Sequence, residues 1–325
     1  MNRFSYLAEK IKESDFLDAP FSHLHIDNFF SADDFASIIA CPEISSPTVG
    51  SDEQLISELR SQGFEVISFP GCITNVDDYI RWRSNRASSV KVHTACEGFG
   101  MVLRLFEKKS QILIDLEEFL LSDEFNSTIA EKFGFSMSSC KVDGGIQKYL
   151  DGYEISPHPD GRRKAATYMV NINPSKDSEN NDHHTHYLKF KKSKRYIYDF
   201  WANNPKYDRD WVPWDWCDSV KQQNKNNSIV IFSPSNDTLH AVKADYDHFK
   251  TQRTQLYGNL WYLESETKMV HWEQLQIPGA TIPDRGQISL KMKIKEKLPP
   301  TLKAIIKKVV PQSGDKTGKT NMGRD

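Results

Sequence analysis

The chain has 325 residues, 38% of them hydrophobic, enough to bury a sizeable core in one enzyme-sized domain with helical additions. A formal net charge of -2 argues against nucleic-acid binding by whole-molecule electrostatics, so no nucleic-acid partner is expected. Five cysteines without CxxC spacing argue against a disulfide framework, and neither a signal peptide nor a bilayer-spanning apolar run is visible, so a soluble protein of the reducing cytoplasm is expected.

Residues 1–135 read as an N-terminal buttress. MNRFSYLAEKIKESDF suggests a helix, PFSHLHIDNFF an entering strand with alternating apolar residues, and Ser31 the N-cap of the next helix. MVLRLFEKKSQILIDLEEFLLSDEFNSTIAEKFGF has strong helical character. From 136 to 285, short β-rich runs alternate with turn signals, the pattern of a mainly β, two-sheet jelly roll.

Within that region YLDGYEISPHPD places His158 and Asp160 two residues apart at the end of a predicted strand. Alternate strand residues point the same way, so both could grip one metal. One imidazole and one carboxylate supply two ligands of the 2-His-1-carboxylate triad, which leaves positions on a non-haem Fe(II) open for substrate and O2. Taken alone the pair is a weak signal, because HPD also reads as a proline turn with a satisfied histidine and a capping aspartate. A second HxD, His25-Ile26-Asp27, belongs to the entering strand and is assigned a structural role.

RKAATYMVNIN (163–173) suggests a strand, and DSENNDHHTHYLKF a polar loop entering another. The histidines of that loop, His183, His184 and His186, lack the cysteines of a zinc framework; His186 is expected at the substrate mouth and the others in solvent. An insertion over about 191–225 carries Trp201, Trp211, Trp214 and Trp216 among several aspartates. Exposed indoles can stack on sugar rings and long loops often serve as lids, which makes Trp211 and Trp214 substrate-side candidates; the alternative is that the indoles pack the insertion onto the domain. In NNSIVIFSPSNDTLHAV a β-branched run ends in a turn, and His240 then opens the next apolar stretch as the candidate third ligand. Residues 286–325 read as a basic amphipathic helix, with Leu302, Ile305, Ile306 and Val309 on one face, and a disordered tail. Docking of that helix on the protein's own surface is expected, with peripheral contact to an anionic membrane as the alternative.

In this order the residues resemble the 2-oxoglutarate- and Fe(II)-dependent dioxygenases, in particular their prolyl-4-hydroxylase-like branch. Tyr149, Gly152, His158 and Asp160 fall on the family's first core segment, Thr167 and Ile172-Asn173 on its next strand, and Ile231-Phe232 on the strand before its distal histidine. HTHYLKF matches a later segment without that segment's glycines and glutamate. The resemblance, over roughly residues 140–264, implies a double-stranded β-helix (jelly roll), an oxidoreductase activity, 2-oxoglutarate as cosubstrate, and O2. It also implies a cation for the distal carboxylate of 2-oxoglutarate. Arg253, opening the aromatic stretch QRTQLYGNLWY, is preferred to Lys250, which lies nearer the family's spacing but in polar YDHFKTQ. Tyr149 is similar to a tyrosine that hydrogen-bonds 2-oxoglutarate, and Asn171 occupies a position from which some members contact the same carboxylate. The implied reaction is oxidative decarboxylation to succinate and CO2 coupled to hydroxylation of an unactivated C–H bond, and Asp160 argues against halogenation. The substrate is expected to be a small molecule related to glycans; a peptidyl prolyl hydroxylase is the alternative within the class, and a non-catalytic jelly-roll module binding a sugar or protein is the alternative outside it.

Overall fold

The computed structural model describes residues 2–45, 48–69, 72–85, 99–265 and 267, so Cys96 and the C-terminal amphipathic segment lie outside the described residues. Two antiparallel sheets carry the fold. The larger follows the order β1 (Leu24–Asp27), β9 (Ser228–Phe232), β6 (Lys164–Asn171), β11 (Arg253–Tyr262), β4 (Cys140–Tyr149), β3 (Val102–Leu105) and β2 (Phe64–Val66). The smaller follows β5 (Glu154–His158), β10 (His240–Lys243), β7 (Thr185–Phe190) and β8 (Cys217–Gln223).

Strand alternation gives the larger sheet two unlike faces. Ala166, Tyr168 and Val170 of β6, with Ile229, Ile231, Leu256 and Leu260, join one apolar core with residues of α1 (Tyr6–Glu13), α2 (Ala32–Ile39), α3 (Asp52–Ser61), α4 (Val76–Ser84), α5 (Gln111–Leu120) and α6 (Asp123–Phe133). The interleaved residues of the other face meet the smaller sheet: Met169, Val230 and Phe232 pack with Tyr187 of β7, and Tyr149 packs with Val242 of β10. Buried polar side chains, Gln147, Thr167, Asn171, Arg253 and Gln255, share that inner face. Apolar burial under the helices holds the sheet, while its other face is left for polar chemistry.

The helices begin where the sequence supplies caps. Ser31, Ser51 and Ser122 accept backbone N–H groups at the starts of α2, α3 and α6, and Gly134 closes α6 in the left-handed region at φ 76°. One sequence expectation fails here: Val102–Leu105, read with the helical stretch that follows, is β3, paired between β2 and β4. Tertiary pairing overrides the local periodicity of these few residues. Likewise Cys217–Gln223, at the end of the insertion, is a full strand of the smaller sheet paired along β7.

At the centre of the larger sheet Tyr168 faces Gly258 in register, and Gly258 in turn faces Gly144. A Cβ on Gly258 would fall 2.1 Å from the Tyr168 ring, and that ring meets Phe125 of α6 in a T-shaped contact, 5.4 Å between centres. The missing side chain thus lets the tyrosine lie flat beneath the helix. Gly258→Ala should therefore destabilise the fold by about 1–3 kcal/mol through overpacking. Denaturant unfolding measures this, and an unchanged midpoint would refute the close-packing account.

Candidate active site

His158 ends β5 and His240 opens β10, and the two residues face each other in register, with ring centroids 4.2 Å apart. Between this pair and the next, Val242 opposite Ile155, β5 holds one residue more than β10. That bulge changes the parity of β5, so that Ile155 packs in the inner core and His158, three residues later, faces the same side. Asp160 lies beyond the strand with φ 61°, a left-handed conformation that aspartate tolerates better than most residues. It is this turn, rather than the strand alternation expected from the sequence, that returns the carboxylate to the imidazole.

His158 Nε2 stands 3.5 Å from Asp160 Oδ1 and His240 Nε2 3.8 Å from Asp160 Oδ2. The ligand atoms of all three residues lie within 4.8 Å of one another. Each imidazole is fixed from behind, His158 Nδ1 donating to Ser156 O at 2.8 Å and His240 Nδ1 to Thr238 O at 3.0 Å. With Nδ1 protonated, both Nε2 lone pairs point into the cluster, the tautomer that a metal requires. Burial, followed by repulsion from His158, lowers the His240 pKa to about 3, which keeps it neutral. Burial alone would raise the Asp160 pKa, but Lys164, His240 and His158 outweigh it and hold the carboxylate well below its ordinary range. Lys164 Nζ reaches Asp160 Oδ1 at 2.7 Å, and the Thr167 hydroxyl donates to Oδ2 at 2.7 Å. The neutral His240 imidazole, the His158 imidazole and an ionised carboxylate form a donor set suited to a divalent transition metal.

Arg253 opens β11, opposite Tyr149 of β4, and is 1% exposed. Its Nη2 donates to Thr185 Oγ1 of the smaller sheet at 3.0 Å, and its guanidinium lies 4.4 Å from the centre of the Tyr149 ring. Nη1 has no hydrogen-bond partner, and no carboxylate pairs with Arg253, among the described residues. Burial lowers its pKa, while Tyr149, Tyr153, Tyr246 and Tyr187 raise it. Lys250 lies in solvent, paired with Asp247 at 3.0 Å. A buried guanidinium without an anion is costly, a cost that Lys250, exposed and paired, does not carry.

Several other expectations meet a different geometry. Asn171 has its amide committed: Nδ2 donates to Gln223 O and Lys225 O, and Oδ1 accepts from Gln255 Nε2. The Tyr149 hydroxyl donates to Gln147 Oε1 at 2.6 Å, leaving its ring as the surface beneath Arg253. His183 and His184, expected in solvent, are buried, with His183 packed between His184 and Tyr246. Aromatic packing supplies what the polar sequence around them concealed. His186 pairs with Ala241 and so faces away from His240 and Thr185, where Nδ1 meets Ser219 Oγ and Trp214 packs edge-on. Trp214 also donates Nε1 to Glu154 at 2.9 Å, which places it on that outer face, whereas Trp211 lies 6.3 Å from the His158 ring. Lys164, Thr167 and Thr185 escaped the sequence reading as partners of the site. Thr167 was marked only by its place on the family's next strand, and Lys164 had a local signal in its position four residues after Asp160.

No family model matches the chain, and no curated protein matches it. Among solved structures it is similar to a Pseudomonas putida prolyl-4-hydroxylase, at 9% identity and TM-score 0.40 over 80% of this chain and 98% of that one. A Trichoplax adhaerens prolyl hydroxylase in complex with a hypoxia-inducible-factor peptide fragment matches at 12% identity and TM-score 0.39, over 80% and 90%. The epimerase SnoN in complex with Fe3+, alpha-ketoglutarate and nogalamycin RO matches at 10% and 0.37, over 86% and 91%. Likeness at this level assigns no role to any residue.

Burial lowers the pKa of His183 to about 2 and that of His184 to about 4, so both are neutral in the fold. An unfolded histidine titrates near 6.5, so their contribution to stability is complete above that pH and is lost as pH falls, toward about 4 for His184 and about 2 for His183. Each should add about 1.4 kcal/mol per pH unit to the slope below 6.5. The unfolding free energy of folded His183→Gln should accordingly fall less steeply than wild type between pH 6.5 and 5. Equal slopes would show that His183 is not buried neutral.

Proposed function

We propose that the protein is a 2-oxoglutarate- and Fe(II)-dependent dioxygenase that hydroxylates an unactivated C–H bond, and that the two facing sheets form a double-stranded β-helix, or jelly roll. The observation that carries this reading is the joint presence, on strands facing the same inner space, of the His158, Asp160 and His240 cluster and a buried guanidinium without a carboxylate partner. A non-catalytic module would need neither. Arg253 contacts Thr185, and Thr185 pairs with Val242, two residues along β10 from His240. A short dicarboxylate could therefore meet both groups.

In this reading His158, Asp160 and His240 hold Fe(II), and Arg253 takes the distal carboxylate of 2-oxoglutarate above the Tyr149 ring. The bound iron would supply the redox chemistry, in which O2 converts 2-oxoglutarate to succinate and CO2 and places its second oxygen atom in a substrate C–H bond. The protein's own contribution is orientation and charge. Ser156 and Thr238 carbonyls fix the imidazole tautomers, Lys164 and Thr167 keep the Asp160 carboxylate ionised and aimed, and Thr185 steers the Arg253 fork. Trp211, beside His158, is the better-placed of the two tryptophan candidates for substrate contact. We assign the substrate to the glycan-like small molecules on this basis, with peptidyl proline as the alternative to be tested beside it.

The described cysteines Cys41, Cys72, Cys140 and Cys217 are free thiols, which supports a cytoplasmic setting. No helix among the described residues is long and apolar enough to cross a membrane.

The test is succinate release from 2-oxoglutarate, with Fe(II) and O2, across pools of small molecules, glycans and peptides. Arg253→Ala should raise the 2-oxoglutarate requirement by an amount equivalent to about 2–5 kcal/mol, whereas Lys250→Ala should match wild type. No succinate from iron-loaded wild type would sink the reading, and a larger effect at Lys250 would move the carboxylate site. Trp211→Ala should weaken coupled oxidation while uncoupled succinate formation persists, and Trp214→Ala should leave coupling intact. Unchanged substrate kinetics in folded Trp211→Ala would remove that indole from the substrate site.

A further inference from the structure

The insertion before β8 is bound to the turn that carries Asp160. Arg162 donates through Nε to Tyr207 O at 2.8 Å and through Nη2 to Trp201 O at 2.5 Å, and Asp208 Oδ1 accepts the backbone N–H of both Arg162 and Arg209. Farther along, Val212 N–H donates to Pro157 O beside His158. These bonds hold residues 207–212 against the HPDGR segment, with the Trp211 ring centre 6.3 Å from that of His158.

Arg209 sits within this clamp and is 5% exposed. Its Nε is buried without a hydrogen-bond partner, and its guanidinium makes no hydrogen bond or ion pair with any described residue. After burial, the influences on its pKa are the charges of Arg162, Asp208, Asp160 and Asp237, which places it in the field of the triad carboxylate while none of the three aspartates neutralises it directly. Its own backbone N–H is taken by Asp208, so the Asp208 carboxylate serves the turn rather than the guanidinium. A second largely buried arginine, its Nε without a partner, therefore sits on the segment clamped to the Asp160 turn, separate from Arg253, which lies on β11 against Thr185. A cation so placed is stabilised by an arriving anion, with two N–H groups in a plane to receive it.

We propose that Arg209, two residues before Trp211 on this clamped segment, binds an anionic group (a carboxylate, sulfate or phosphate) carried by the substrate itself, at a subsite distinct from the Arg253 pocket. This rests on the dioxygenase reading only for the triad being the reaction centre. It narrows the substrate to an acidic molecule with an apolar or ring face, the anion on Arg209 and the face on Trp211, so that the bond to be oxidised is presented at His158 and Asp160.

The experiment uses the full chain, free of metal and of 2-oxoglutarate, titrated with inorganic phosphate at constant ionic strength while indole emission is followed. Trp211→Phe isolates the part of the signal that belongs to Trp211. Wild type should give a saturable change that is absent from Trp211→Phe, at least about ten-fold weaker in affinity in Arg209→Gln, and retained in Arg253→Gln. Arg209→Lys, which keeps the charge, should respond with intermediate affinity, and circular dichroism shows which variants are folded. The proposal is overturned if wild type gives no saturable response, or if the response keeps wild-type affinity in folded Arg209→Gln, whatever Arg253→Gln shows. If Arg209→Gln does not fold, wild-type affinity in Arg209→Lys overturns it instead. Because neither iron nor cosubstrate is present, failure here leaves the dioxygenase reading standing, whereas absence of succinate formation beside an intact phosphate response sinks only that reading.

Discussion

Between the two sheets the guanidinium of Arg253 rests on the face of Tyr149, held at one nitrogen by Thr185 and facing no carboxylate among the described residues. A charge taken out of water in this way is tolerable only if the surrounding structure is stable enough to carry it or an anion arrives to compensate it. Here the carrying structure is visible. The opposite face of the same sheet joins one apolar core under α1, α2, α3, α4, α5 and α6, and Tyr168 packs flat over Gly258 to bring α6 close. Stability is gathered on one face so that the other can hold polar groups in an unfavourable setting, the arrangement expected where strain serves binding.

The metal-ligand cluster depends on a second constraint, the irregularity of β5. A regular strand would place Ile155 and His158 on opposite faces; the bulge puts both inside, and the left-handed turn at Asp160 then folds the carboxylate back. Removing either would separate three side chains whose donor atoms now lie within 4.8 Å. The insertion tightens this corner further, through Arg162, Asp208 and the Val212 to Pro157 bond. It is therefore a wall of the site rather than a distant lid.

Much of this was legible in the sequence, for reasons that differ by residue. His158, Asp160 and His240 could be gathered because polar ligands punctuating apolar, β-branched runs leave a local mark, although the geometry that unites them is a bulge and a turn rather than simple alternation. Arg253 could be preferred to Lys250 because an arginine opening an aromatic strand contrasts with a lysine in a polar segment, and the structure buries the one and exposes the other. What could not be read was parity across a paired sheet. His186 and Trp214 face outward because His186 pairs with Ala241, a relation between strands more than fifty residues apart. The commitments of Asn171 to Gln223, Lys225 and Gln255 are long-range in the same way, and so is the burial of His183 against Tyr246. Val102–Leu105 was misread because so short a segment carries too little periodicity to outweigh its neighbours.

The central claim is that the His-Asp-His cluster and Arg253 together hold one metal and one dicarboxylate. The most direct measurement is anomalous diffraction from anaerobic crystals grown with Mn(II), as a redox-silent substitute for Fe(II), and 2-oxoglutarate. A single strong anomalous peak is expected within coordination distance of His158 Nε2, His240 Nε2 and an Asp160 oxygen, with the far carboxylate of 2-oxoglutarate on the Arg253 guanidinium. A metal bound elsewhere, or a 2-oxoglutarate whose far carboxylate lies away from Arg253, would contradict it.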